Sequence, residues 1–420
     1  MRVSVNKSEI RGRVSAPSSK SYTIRGLMCA AMANGESELL HPLSSDDTEA
    51  ALNVLSKIGV RTCLNSDAWR VSGDNFHEPD GDLFCAESAT TLRFMTAICS
   101  VVPGRCRLTA GQSLAKRPIK PLIEALRQLG LDASCRGEVA PVTVAGGGLK
   151  GGVTQLPGDV SSQFVSALSL VAPFAENGVK IRLTTPLESK PYVLMTLECL
   201  SKFGIKVKSS PDLREFEVAR QTYQPARYVV EGDWSSASYL LALGAVCGEV
   251  MVENLNPQSL QGDKVILDFL RSMGASVEMA QNLVTVKRRR LSALKADLTD
   301  CIDLLPTMAV LAALAEGTSE LTGIQRARLK ESNRVSALKE GLERAGNKVV
   351  EAENKLTVTG GESRACVIDS KNDHRIAMAF SILGAGRGGV VIAGAECVSK
   401  TYPDFWNVLE SIGGEVKYEQ

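Results

Sequence analysis

The sequence predicts an α/β (α+β) fold in two globular domains, assembled from six copies of one helix-and-strand repeat. Three observations carry that prediction. A Leu-x-x-apolar-Gly signature recurs six times, its spacing is nearly even, and the chain changes character after the third copy. The signature stands at Leu55 to Gly59, Leu126 to Gly130, Leu200 to Gly204, Leu270 to Gly274, Leu342 to Gly346 and Leu409 to Gly413. Successive glycines are 71, 74, 70, 72 and 67 residues apart, and so even a period indicates duplicated supersecondary units.

Each signature glycine is placed as a left-handed cap closing a helix, where a missing Cβ removes the steric penalty. Short alternating strands are predicted after the caps, as at Ile205-Lys206-Val207 and Ala275-Ser276-Val277. Six repeats could close as one ring or as two groups of three. A charged, Pro-punctuated stretch reaches Gln224-Pro225-Ala226-Arg227, and a new strand is expected from Tyr228 to Val230. That break favours two domains, and a cleft between domains is a usual place for a small-molecule site.

Composition limits the function classes. A length of 420 residues fits two or three domains, and a hydrophobic share of 44% supplies sizeable cores. The 48 basic and 47 acidic residues leave a formal charge of +1, which argues against a dedicated nucleic-acid binder. Any positive site must therefore be local. The eleven cysteines are scattered without a Cys-x-x-Cys pair, so neither a zinc site nor a disulfide framework is expected, and a reducing cytoplasm fits. Met1-Arg2-Val3-Ser4-Val5 lacks a signal-peptide pattern, and no apolar run is long enough to span a bilayer.

Seven motifs carry candidate chemistry. In Ser18-Ser19-Lys20-Ser21-Tyr22-Thr23-Ile24-Arg25 the serines read as N-caps, and Ser21 and Arg25 share a helix face. A helix start bearing Lys20 and Ser21 suits an anion, because free N–H groups and the dipole both favour negative charge. Glu87-Ser88-Ala89-Thr90-Thr91-Leu92-Arg93 opens a helix with small residues, over the buried stripe Leu92, Met95, Thr96 and Cys99. In Lys116-Arg117-Pro118-Ile119 the proline suits a first helical turn, with Arg117 projecting from the helix start. Gly158-Asp159-Val160-Ser161-Ser162-Gln163 is echoed by Gly232-Asp233-Trp234-Ser235-Ser236, and Ser189-Lys190-Pro191-Tyr192 adds another Ser-Lys helix start.

In Arg328-Leu329-Lys330-Glu331-Ser332-Asn333-Arg334, two cations flank one carboxylate on what helical spacing makes an exposed face. Such a carboxylate serves either as a proton donor or acceptor, or as a member of an intrahelical ion-pair network. Asn372-Asp373-His374-Arg375 precedes the stripe Ile376, Ala379, Phe380 and Leu383, and a lone histidine there is more often structural than catalytic. Lys400-Thr401-Tyr402-Pro403-Asp404 stands at a last helix start. Helix after helix thus begins with Ser, Lys or Arg, which predicts a polyanionic substrate carrying phosphate and carboxylate. No P-loop is present, and Gly384-Ala385-Gly386-Arg387-Gly388-Gly389 follows a helix and precedes a strand, the wrong order for a dinucleotide loop.

These seven motifs, in this order and over essentially the whole chain, resemble the 5-enolpyruvylshikimate-3-phosphate synthases. The resemblance implies an inside-out α/β barrel architecture of six βαβαββ repeats, three per domain, with the active site in the interdomain cleft. It implies domain ranges of 1–18 with 229–420, and 19–228. It implies transfer of the enolpyruvyl group of phosphoenolpyruvate to the 5-hydroxyl of shikimate 3-phosphate, in aromatic amino-acid biosynthesis. By this resemblance Lys20, Ser21, Arg25, Ser161, Ser162, Gln163, Ser189, Asp303 and Lys330 take shikimate 3-phosphate, with Tyr192 close by. Lys20, Ala89, Arg117, Gln163, Arg334, Arg375 and Lys400 take phosphoenolpyruvate.

The catalytic set it implies is Lys20, Asp303 and Glu331. Glu331 protonates the methylene carbon, and Asp303 or Lys20 accepts the proton of the attacking hydroxyl. The resemblance requires no metal, no cofactor, no nucleic acid and no membrane, and it implies a cytoplasmic monomer whose partners are its two substrates.

Three departures stand out. Glu87-Ser88-Ala89-Thr90 replaces the usual Asn-Ala-Gly-Thr, placing a carboxylate at Glu87 and a methyl at Ala89 beside the expected phosphoenolpyruvate site. The methyl implies weaker inhibition by glyphosate. Asn333 replaces a common acidic residue beside Arg334. A sister family transfers the same group to UDP-N-acetylglucosamine with a loop cysteine, but Cys106 and Cys135 lack the expected Pro-Gly-Gly-Cys setting. The remaining alternative, a non-catalytic phosphate- or RNA-binding protein on a related repeat fold, sits poorly with the balanced charge and the Asp303, Lys330 and Glu331 set.

Overall fold

Apolar patterning separates two kinds of helix. Helices α1 (Lys20–Met32), α3 (Ala89–Ile98), α5 (Ser162–Val171), α7 (Trp234–Cys247), α9 (Leu305–Leu314) and α11 (His374–Arg387) bury almost every residue. A helix apolar all round belongs inside a core. Helices α2 (Asp46–Ser56), α4 (Lys120–Gln128), α6 (Lys190–Lys202), α8 (Ile266–Ser272), α10 (Arg334–Arg344) and α12 (Phe405–Ser411) bury only one face. The computed structural model describes all residues except Asp74, Ser363 and Gln420.

The chain forms two units, Ser18–Val230 (the first) and Met1–Pro17 with Glu231–Gln420 (the second). Each has its own hydrophobic core. Each contains three four-stranded sheets among the described residues. All six sheets repeat one plan, in which an outer strand runs parallel to its neighbour and the next two pairings are antiparallel. In one sheet Leu83–Phe84 pairs with Arg105–Thr109, then Val139–Ala145, then Asp132–Arg136. With α3 and α4 between its strands, this is βαβαββ.

Backbone hydrogen bonding explains why the first residues join the second unit. Arg2–Asn6 lies between Val390–Ala393 and Glu415–Glu419, and Ile10–Ser15 pairs in parallel with Gly248–Glu253. The first unit closes in the same way, through Arg227–Val229 alongside Glu36–Leu40.

The six signature glycines end α2, α4, α6, α8, α10 and α12 with φ between +83° and +101°. That is the left-handed region where a Cβ is penalised. Two local expectations are corrected. Ile205-Lys206-Val207 is not a strand: the Ile205 amide caps the helix at Leu200 O, and Lys206 N donates to the Gln221 side chain. The strand begins at Lys208. Pro118 does not enter a helix either. Ile119 N and Lys120 N both donate to Glu138 O, so α4 starts at Lys120 with Pro121 in its first turn.

Candidate active site

In the first unit, α1 starts on the Ser19 hydroxyl, which accepts from Tyr22 N. That cap projects Lys20, whose Nζ lies 2.8 Å from Asp47 Oδ2 on α2. One turn later Arg25 is 1% exposed. Its Nε donates to Thr196 Oγ1, and its two terminal nitrogens donate to the Ser21 and Tyr192 carbonyls. Phe94 and Tyr192 rings lie 5.4 and 5.9 Å from its carbon. Among the described residues no carboxylate pairs with Arg25, and burial lowers its pKa. A buried guanidinium held by carbonyls, a hydroxyl and rings is matched to an incoming anion, since an unpaired buried charge is otherwise costly.

A second set gathers where α3 packs on α5. Arg93 Nη1 donates to Ser161 Oγ at 3.1 Å and to Gln163 Oε1 at 2.9 Å, and Nη2 reaches Pro118 O. Gln163 Nε2 donates to Thr90 Oγ1 at 3.0 Å. Ala89, Gln163 and the chain beside Arg117 are thus brought together, and Arg117 is buried rather than solvated. It closes the short 3₁₀ turn Leu114–Lys116. Ser161 caps α5, Ser162 is buried beside it, and Ser189 precedes α6 with a left-handed φ of 52°. Glu87 is turned to the backbone: Oε2 accepts from Leu114 N at 2.7 Å and Oε1 from Ser113 N at 3.2 Å.

In the second unit the N-terminal ends of α9, α10 and α11 meet. Arg334, 1% exposed, is the hub. Its Nη1 donates to Asp303 Oδ1 at 2.7 Å, Nε to Asp373 Oδ2 at 2.8 Å, and Nη2 to Glu331 Oε2 at 2.5 Å. Lys330 Nζ lies 3.3 Å from Asp303 Oδ1, Arg375 Nη2 3.3 Å from Asp303 Oδ2, and Lys400 Nζ 3.9 Å from Glu331 Oε1. Four cations therefore surround three carboxylates. The exposed intrahelical arrangement expected at Lys330–Arg334 is corrected: α10 begins only at Arg334, capped by Asn333, and Lys330 and Glu331 lie on the preceding bend. Lys400 likewise ends the 3₁₀ helix Ala395–Lys400 instead of opening α12.

The electrostatics follow from this packing. Burial alone would raise the Asp303 pKa, but Arg375, Lys330 and Arg334 outweigh it and hold the carboxyl well below its ordinary value. Burial pushes Lys330 down to about 8 against the pull of Asp303, although 27% of its side chain stays exposed. Burial would lower Arg334, yet Asp373, Glu331 and Asp303 raise it above the ordinary arginine value.

Asp47, Thr90, Arg93, Asp373 and Tyr239, whose hydroxyl accepts from Arg375 Nη1 at 3.4 Å, escaped the sequence reading as site residues. Thr90, Arg93 and Asp373 lay inside quoted motifs, and a charged side chain beside an apolar helical stripe was the signal for Arg93 and Asp373. Asn333 answers its own departure, since it caps α10 while Arg334 rests on three carboxylates from elsewhere. His374 is buried with Nδ1 3.8 Å from Asp373 Oδ1. Cys106 is buried within the strand Arg105–Thr109 and Cys135 lies within Asp132–Arg136, so neither stands on a loop. Among the described residues no His, Cys, Asp and Glu cluster could hold a metal, and no helix is long and apolar enough to cross a membrane.

Comparison with known proteins adds three findings. The family described as EPSP synthase (3-phosphoshikimate 1-carboxyvinyltransferase) matches residues 5–409. A 3-phosphoshikimate 1-carboxyvinyltransferase of Dehalococcoides mccartyi is 50% identical over 418 residues, covering 99% of both chains. One from Methanothermobacter thermautotrophicus is 42% identical over 419 residues, covering 98% of this chain and 99% of its own. The solved EPSP synthase of Acinetobacter baumannii superposes with a TM-score of 0.83 over 100% of both chains at 24% identity, a likeness of fold.

Proposed function

The chain belongs to the EPSP synthase family and transfers the enolpyruvyl group of phosphoenolpyruvate to shikimate 3-phosphate in the shikimate pathway; on that premise we propose which residues do it. Arg25 takes the phosphate of shikimate 3-phosphate, with Ser21, Ser161, Ser162 and Ser189 around it. Lys330 and Asp303 orient its reacting hydroxyl. Lys20, Arg117, Gln163, Arg334, Arg375 and Lys400 take the phosphate and carboxylate of phosphoenolpyruvate, whose oxyanions suit guanidinium forks, and Ala89 bounds that site.

Glu331 gives a proton to the methylene carbon, and the hydroxyl oxygen bonds to the adjacent carbon as its own proton leaves. The Glu331 carboxylate then takes a methyl proton back from the tetrahedral adduct, which breaks the bond to phosphate, restores the double bond and returns Glu331 to its starting state. Cations fixed in advance stabilise the charge developing on phosphate and carboxylate. Asp303 is a weak proton acceptor with its pKa held so low, so its role is to aim the hydroxyl and to hold Lys330, Arg334 and Arg375. Lys20, paired with Asp47 at 2.8 Å, stays a cation for the oxyanions, and the hydroxyl proton passes to the phosphate group of phosphoenolpyruvate and departs with it.

The observation that carries this assignment is the convergence of Asp303, Lys330, Glu331, Arg334, Arg375 and Lys400 on one ion-paired cluster. Glu331→Gln tests it. Phosphate release from phosphoenolpyruvate should fall roughly a hundredfold or more, the scale of a lost general acid, with substrate KM little changed. Near-normal turnover would remove Glu331 from the mechanism. UDP-N-acetylglucosamine as acceptor should release no phosphate. We further propose a cytoplasmic monomer; the eleven free cysteines support a reducing compartment, and light scattering on the purified protein tests the oligomeric state.

A further inference from the structure

Helices α7 and α11 carry the candidate-site residues Tyr239 and Arg375 in their N-terminal halves, and Asp303 stands in the turn just before α9. The other ends of these three helices line a separate cavity of about 400 Å³. Its apolar part is formed by Val246, Leu291 and Leu314, and Gly317, Gly360 and Gly386 leave it open. The glycines are required by packing, since a Cβ on Gly360 would meet Ala315 O at 1.7 Å and one on Gly386 would meet Val246 at 2.8 Å. Around this floor stand Arg288, Arg289, Arg290 and Arg387, against Glu316 alone.

This concentration of charge sits in a chain whose net charge is +1. Structural duties account for part of it. Arg290 pairs with Glu316, and Arg288 lies 3.5 Å from Glu9. The carbonyl ends of three helices also attract cations, each with roughly half a negative charge. Those terms together fall short of four arginines. Arg289 makes no hydrogen bond or ion pair among the described residues, and Arg387 donates only to Gly361 O at 3.4 Å. Both are exposed.

We propose that this cavity is a second ligand site, for a small amphipathic anion. Arg289 and Arg387 grip its phosphate or carboxylate head, and Val246, Leu291 and Leu314 carry its apolar body. The volume lies within the usual range for small-molecule pockets, and forked donors match oxyanions. The run of α11 from Arg375 to Arg387 separates the two by about 18 Å, so the cavity is independent of the substrate residues.

Calorimetry with phenyl phosphate tests this on the full chain, with benzoate separating carboxylate from phosphate preference and inorganic phosphate reporting the apolar contribution. The wild-type protein should bind phenyl phosphate saturably, and more tightly than inorganic phosphate. In Arg289→Ser/Arg387→Ser that event should weaken roughly tenfold or more, the scale of charged hydrogen bonds, with kcat and both substrate KM values unchanged. Lys20→Ala should leave it intact. No saturable binding by the wild type, or undiminished binding by the double variant, would overturn the proposal.

Discussion

The Lys330 ammonium stands 3.3 Å from Asp303, and burial lowers its pKa to about 8. Below that pH the group is charged and attracts the anionic acceptor; above it the charge is lost. The pH profile of kcat/KM reports free-enzyme groups, so kcat/KM for shikimate 3-phosphate should fall as pH rises through about 8. Lys330→Arg keeps its charge to far higher pH, and the falling limb should move up or vanish. An unmoved limb would assign the titration elsewhere. At Ala89, buried at the first turn of α3 beside Thr90, the methyl takes space that a glycine would leave. Ala89→Gly should tighten glyphosate inhibition by roughly tenfold or more, the scale of one methyl group in a pocket; an unchanged inhibition constant would show that the methyl does not bound the inhibitor. Glu87 shows what residue types alone could not tell. The sequence places a carboxylate near a phosphate site, but only the structure shows both oxygens bound to amides at Ser113 and Leu114. It acts there as a cap on the turn that begins at Leu114.

Caps also decide what the elements present. Ser19, Ser88, Ser161, Asp233, Asn333 and Asp373 each accept an amide hydrogen bond at a helix start. Short polar side chains before an apolar stripe were readable in the sequence, and so were most of the site helices. The Lys330–Arg334 segment was not. Spacings of three and four are equally compatible with a helix begun at Lys330 and with one begun at Arg334. The tertiary pull of Asp303 and Asp373 on Arg334 chose the later start, which freed Lys330 and Glu331 from the helix. Asn333→Ala checks that account. It removes the bond to Ser336 N and should cost about 1 kcal/mol, a fall of roughly 2–4 °C in the melting of a unit this size. The phosphoenolpyruvate KM should rise little, because Arg334 keeps its three carboxylates. A large loss of activity without a change in melting would instead give Asn333 a direct place in the site.

At the scale of the whole chain, the repeat was legible because each signature glycine needs a conformation that other residues resist, which fixes its position in every copy. The closure was less so. Nothing local in Arg2–Asn6 or Ile10–Ser15 says which distant strand each will join, since register is set by partners hundreds of residues away. That closure has a consequence for folding. The first unit takes all three of its sheets from Ser18–Val230, and its core draws on no residue outside that range. The second unit needs the N-terminal strands, one of them lying between two neighbours. Residues 18–230 expressed alone should therefore melt in one cooperative transition, whereas 231–420 without residues 1–17 should not, because an inner strand is missing and its neighbours' backbone groups go unpaired. The 18–230 fragment carries Arg25 and Ser161 but neither Asp303 nor Glu331. It should bind shikimate 3-phosphate saturably, more weakly than the full chain, and release no phosphate from phosphoenolpyruvate. Calorimetric melting of both fragments and titration of the first with shikimate 3-phosphate decide the matter. A non-cooperative 18–230 fragment would mean that the first unit depends on the second to fold, and a folded fragment blind to shikimate 3-phosphate would remove Arg25 from its assigned role.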